Sequence, residues 1–117
     1  MEKIITPTFY CHIYMGLKIG YNGKKIEKKE ISSYLKLFTD NNKISISTTD
    51  VNFYYSNTLE KGICIKLINI PHYNLEDKDI MEFSEAIIDD LFEIFDQEKI
   101  IAVYPEETIT FRREKWK

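Results

Sequence analysis

Hydrophobic spacing changes period along this chain in a fixed order, and that order limits the fold more than any other feature. In "TFYCHIYMGLKIG", Phe9, Cys11, Ile13 and Met15 alternate with Tyr10, His12 and Tyr14. Period two predicts a strand from about Thr8 to Lys18, with one apolar face and one face of polar-tipped rings. "GYNGKK" follows, where Asn22-Gly23 favours a tight turn because both residues tolerate positive φ. In "KKIEKKEISSYLKLFTDNN", Ile31, Tyr34, Leu35 and Phe38 recur at helical spacing, and Asn41-Asn42 ends the helix. Period two returns in "KISISTTDVNFYYSN", with a bend or bulge expected at "STTD". "TLEKG" reads as a turn, and "ICIKLINIP" as a short apolar strand closed by Pro71. The longest helical pattern is "DIMEFSEAIIDDLFEIFDQEK". Ile80, Phe83, Ile87, Leu91 and Ile94 make its stripe, which Met81, Ile88, Phe92 and Phe95 widen. A stripe that wide predicts two neighbours, the sheet and a second copy of the chain. "KIIAVYP" and "ETITFRR" then form a hairpin around a tight "PEE" turn.

The order is β-α-β-β-α-β plus one C-terminal strand. Right-handed crossovers turn that order into a ferredoxin-like α+β sandwich, an antiparallel sheet with two helices on one face. A length of 117 residues fits a single α+β domain over 1–117. The first and third main strands become neighbours, which brings Cys11 and Cys64 near one another. Free cysteine ordinarily behaves as a small hydrophobe, so both read as buried thiols.

Composition removes several classes of function. A net charge of −3 gives no global basic field for long nucleic acid. The chain also lacks the K/R-G-F/Y-G/A-F-V-x-F/Y run of the common RNA-stacking module. There is no C-x-x-C, and His12 and His72 stand far apart, which argues against structural zinc. "MEKIITPTF" has no long apolar core and no run reaches membrane-spanning length, so a cytoplasmic location is expected. No G-x-S-x-G, H-E-x-x-H, P-loop or G-x-G-x-x-G occurs. Cys11 and His12 point to opposite faces of a strand and cannot form a dyad. Asp89, Asp90, Glu93 and Asp96 read as the solvated side of a helix. These observations predict a protein without cofactor or metal that is not an enzyme.

Binding is the remaining class. Arg112 and Arg113 are the only arginines, and every other fixed cation is lysine. Arginine offers a planar fork that grips phosphate or carboxylate at two points. In a strand the two point to opposite faces, so at most one serves a given pocket. Phe53 and Tyr55 offer rings on which a base stacks. Asn69, His72 and Tyr73, in "INIPHY", lie at a strand end where ligand-reading loops are common. Tyr10 and His12 lie on the polar-tipped face of the first strand. A few polar groups in an aromatic-lined cleft define a small-molecule site, here for a phosphorylated ligand. The plainer account is that terminal arginines pair with surface acids and that tyrosine-rich strands pack.

The segments "YMGLKIGYNGKK", "ISISTTDVNFYYSN", "GICIKLINIP" and "IIAVYPEETITF" span nearly the whole chain. Their pattern resembles the phage and prophage anti-Thoeris proteins, which sequester the cyclic ADP-ribose signal of a bacterial immune system. Ile70 departs from it, where an aromatic residue would follow the asparagine. The resemblance implies a homo-oligomeric sponge that holds a cyclic nucleotide signal in the host cytoplasm without cleaving it. Two alternatives stand beside that expectation. One is a small module that blocks a host protein through the apolar face of the long helix. The other is a nucleotide hydrolase.

Overall fold

The computed structural model describes residues 1–19, 23–70 and 75–113. Seven strands and two helices follow in the order β1 (Tyr10–Gly16), β2 (Lys18–Ile19), β3 (Lys24–Lys25), α1 (Lys28–Asn41), β4 (Ile46–Tyr55), β5 (Thr58–Ile68), α2 (Asp77–Phe95), β6 (Lys99–Val103) and β7 (Thr108–Arg112). The main sheet has the order β4-β5-β1-β6-β7, and β2 and β3 form a separate two-stranded sheet. Every adjacent pair in the main sheet is antiparallel. This is the ferredoxin-like sandwich expected from the periodicity, with both helices on one face.

Strand alternation sorts the residues. Cys11, Ile13 and Met15 of β1, Ile63, Ile65 and Leu67 of β5, and Ile100 and Ala102 of β6 point to the helices and are buried. They meet Ile31 and Leu35 of α1 and Ile80, Ile87, Ile88 and Leu91 of α2 in one core. The helices start on reciprocal caps. Glu30 accepts from the Glu27 amide at 3.0 Å, and Asp79 accepts from the Glu76 amide at 2.8 Å.

Three sequence expectations are corrected. The stretch "TLEKG" is strand, because the turn is Ser56-Asn57, both at positive φ (48° and 64°). A two-residue turn of that kind matches the right-handed twist of its strands. No bend interrupts "STTD": β4 pairs with β5 in unbroken register from Ile46↔Leu67 to Tyr55↔Thr58. Cys11 and Cys64 sit on adjacent strands but on opposite faces, since Cys11 pairs with Leu67 and Tyr14 with Cys64.

The wide stripe of α2 is used inside the molecule. Part of it packs on α1, where Phe38 and Phe83 rings meet edge to face at 6.1 Å. Ile94 is the one large apolar residue of α2 left exposed. That leaves little for the host-protein module imagined on this helix. Among the described residues no helix is long and apolar enough to cross a membrane.

Candidate functional site

The face of the sheet turned away from the helices carries the chemistry. Strand register lays its side chains in rows. Lys66, His12, Val103 and Thr108 form one row, and Cys64, Tyr14, Ile101 and Thr110 form the next. Beyond them Val51 faces Gly62, Gly62 faces Gly16, and Lys99 faces Arg112. Phe53 and Glu60 face each other at the far end.

Gly16 and Gly62 make a low floor in this surface. A Cβ built on Gly16 would meet a Glu60 carboxylate oxygen at 2.5 Å, so that carboxylate lies over Gly16. One built on Gly62 would run into the Phe53 ring and meet the Met15 carbonyl oxygen at 2.6 Å. Glycine inside a strand often marks a close approach of this sort. The Tyr14 ring stands against Phe53, with centroids 6.4 Å apart and planes at 71°. Two ring walls and a carboxylate therefore surround a glycine floor, and two cations, Lys99 and Arg112, stand on β6 and β7 of the same face.

The electrostatics follow from burial. Burial, then the neighbouring Cys64, raises the Tyr14 phenol above its usual value. Burial also raises the Cys64 thiol. Both therefore remain protonated near neutrality. Burial, then the Lys66 charge opposite, lowers the His12 imidazole, which favours its neutral form.

The residues singled out in the sequence fall into groups. Tyr10, His12, Phe53 and Arg112 share the open face. The Tyr10 and His12 rings lie 4.7 Å apart at 34°. Tyr55 has the same facing but sits at the hairpin tip, 83% exposed. Arg113 lies elsewhere, where it pairs with Asp96 and donates to the Phe92 carbonyl at 3.1 Å, closing the C-terminal end of α2. Asn69 accepts from the Phe9 amide at 2.7 Å and donates to the Pro7 carbonyl at 3.0 Å, fastening the segment before β1. His72 and Tyr73 lie outside the described residues.

Sequence reading did not single out Glu60, Gly16, Gly62 or Lys99 as site residues. Reading "TLEKG" as a turn hid both Glu60 and Gly62. The available signal was a pair of glycines, Gly16 at the end of β1 and Gly62 inside β5, each next to a period-two apolar run.

No protein-family model and no curated protein matches the chain. Two solved structures are similar to it over its whole length. One is a phage SAM lyase in complex with S-methyl-5'-thioadenosine, with a TM-score of 0.74, 18% identity, and coverage of 100% of this chain and 98% of that one. The other is a phage SAM lyase in the apo state, with a TM-score of 0.78, 19% identity and the same coverage. Identity of this order carries the fold. The resemblance to phage proteins stands in its coarser form, a fold shared with phage proteins that act on an adenosine-containing compound. The expectations of a sponge and of a protein that is not an enzyme are corrected. Both similar structures are lyases, so the enzymatic alternative is favoured over sequestration without cleavage.

Proposed function

We propose that this protein is a lyase that breaks a carbon–sulfur bond in an S-adenosyl sulfonium, with S-adenosylmethionine as the first candidate substrate. The observation that carries the reading is the Glu60 carboxylate beside the Tyr14 and Phe53 rings over the Gly16–Gly62 floor. A carboxylate with aromatic faces is the chemistry that holds a cation. A sulfonium is such a cation. It arrives on a zwitterionic chain whose carboxylate suits Arg112 or Lys99. The likeness to phage SAM lyases supports the same choice.

The bond order balances without water. When the C–S bond breaks, its electron pair stays on sulfur and leaves a neutral thioether, S-methyl-5'-thioadenosine. The four-carbon fragment then leaves in one of two ways. Its own carboxylate bonds to the carbon that carried sulfur and closes a lactone, or a base takes a proton and an alkene forms. The lactone route needs no protein base. It fits a site where Tyr14 and Cys64 stay protonated. Opposite charges vanish along that route, so the aromatic faces of Tyr14 and Phe53 favour it over bulk water. Glu60 orients the cationic end, and Arg112 orients the carboxylate.

The anti-defence role implied by the phage resemblance takes this form: a small adenosine-containing molecule of the host is removed by cleavage. The location that goes with it is the host cytoplasm, where such a molecule is made.

Purified protein incubated with S-adenosylmethionine in H2¹⁸O is the test, with products identified by mass. Formation of S-methyl-5'-thioadenosine and a four-carbon fragment with no ¹⁸O on the carbon that carried sulfur is expected. Glu60→Gln is expected to lower kcat/KM by at least about tenfold, since a charge-assisted contact of about 1.5–3 kcal/mol is lost. Intact S-adenosylmethionine after incubation, or label on the hydroxyl of the carbon that carried sulfur, overturns the reading, whereas label confined to the carboxyl group comes from later opening of the lactone. Cyclic ADP-ribose in the same assay checks the other adenosine compound.

A further inference from the structure

We infer that Cys11 of β1, Ser84 of α2 and Tyr104, the residue after β6, bind one water molecule inside the core. This inference stands apart from the proposed lyase reaction, because the three residues lie on the helix side of the sheet.

Ser84 interrupts the apolar stripe of α2. It lies among Ile80, Ile87, Ile88 and Leu91, all buried, and is itself 0% exposed. A hydroxyl in such a place costs free energy unless it is hydrogen-bonded. A helical serine can bond back to the carbonyl four residues earlier. Ser84 Oγ has neither that partner nor another among the described residues. Strand register brings a second hydroxyl to the same place. His12 pairs with Val103, so the next step of the ladder sets Tyr104 opposite Cys11. Cys11 is 0% and Tyr104 4% exposed, and both belong to the core. Tyr104 Oη has no partner among the described residues either. The rest of Tyr104 is held firmly. Its amide donates to the Glu107 carbonyl at 2.8 Å, and its ring lies 6.0 Å from that of Phe9. Buried polar groups left unpaired are few in native folds, and two in one place point to a shared partner.

The three polar tips adjoin one another. Burial raises the Cys11 thiol, and the Ser84 and Tyr104 hydroxyls beside it oppose that rise. Burial, then the adjoining Cys11, raises the Tyr104 phenol well above its usual value. Yet neither hydroxyl oxygen meets hydrogen-bond geometry with the other or with the sulfur. A single bridging molecule satisfies both oxygens where a direct bond does not. Charge decides what that molecule is. The thiol and the phenol stay protonated near neutrality, and serine carries no charge. A neutral cluster in an apolar core gives an ion nothing to offset its lost hydration. It does suit water, because each hydroxyl can donate and accept and the thiol does both weakly. A buried water typically makes about three hydrogen bonds to groups of this kind. Held there, it ties β1 and α2 to the hairpin of β6 and β7, which carries Arg112 on the open face.

A high-resolution crystal structure of the wild type is the first test. Density for one water within about 2.6–3.2 Å of both Ser84 Oγ and Tyr104 Oη is expected. A direct bond between the two hydroxyls, or no density between them, overturns the inference. Oxygen-17 relaxation dispersion gives a second measure in solution, because it counts waters held for long inside the folded protein. Ser84→Ala combined with Tyr104→Phe removes two oxygens and adds no volume, so the fold is kept, as circular dichroism would verify. This variant is expected to hold one long-lived water fewer than the wild type, since an apolar cavity stays dry. An unchanged count overturns the inference.

Discussion

Single residues here act through what stands directly over them. Gly16 and Gly62 face each other across β1 and β5, yet substitution should separate them. An alanine at Gly16 meets first the Glu60 carboxylate, the far end of a flexible side chain. Gly16→Ala should therefore leave thermal stability within about 0.5 kcal/mol while swinging Glu60 aside and lowering cleavage of a sulfonium substrate. Gly62→Ala meets a backbone carbonyl and a packed ring, neither of which yields, and should cost about 1–3 kcal/mol in urea unfolding. Equal losses of stability in the two variants would contradict this reading. Arg113 illustrates how close the sequence came. The unusual arginine pair was legible, and so was the rule that neighbours in a strand diverge. Which one faces the open side depended on register, and register gave that place to Arg112. Arg113 instead satisfies the Phe92 carbonyl and Asp96 at the end of α2, where Asp96 is left-handed (φ 48°). Arg113→Ala should lower stability by about 1 kcal/mol and leave ligand binding on the open face unchanged.

At the scale of elements, the two helices are joined by more than apolar contact. The Tyr34 hydroxyl of α1 donates to Asp90 of α2 at 2.6 Å. Burial, then that bond and the carboxylate charge, holds the Tyr34 phenol well above its ordinary value of about 10. The folded state therefore keeps this proton more tightly than the unfolded chain does. Its contribution is fully present below pH of about 10 and is lost as pH rises through the raised value of the folded state. Stability measured from pH 8 to 11 should fall in the wild type above about pH 10, and Tyr34→Phe should flatten part of that fall. An identical alkaline slope in the variant would remove Tyr34 from the account. The helices themselves were legible, because an amphipathic stripe is local, whereas their caps, Glu27 and Glu76, were not singled out. The hairpin of β4 and β5 was only partly legible. Its turn uses Ser56-Asn57 in place of a glycine-containing pair, so turn chemistry pointed to "TLEKG", and a strand of eleven residues was read as one of nine with a shifted start.

At the scale of the whole molecule, one sheet serves two purposes. Its helix side is an apolar core, and its open side carries rings, a carboxylate and cations that no element among the described residues covers. Asymmetry of this kind is common in antiparallel sheets, which tolerate solvent on one face. By itself, the sequence determined the order of strands and helices, the single-sided helix layer and the apolar residues of the core, because these depend on local periodicity and on handedness. It also determined that Tyr10 and His12 share a face, which period two fixes outright. The tertiary structure alone decided that Glu60 lies over Gly16, that Phe53 lies over Gly62, and that Lys99 and Arg112 stand on the same surface as both. Those contacts join residues up to about a hundred positions apart. They depend on cross-strand register, and a shift of one residue turns every side chain of a strand to the other face.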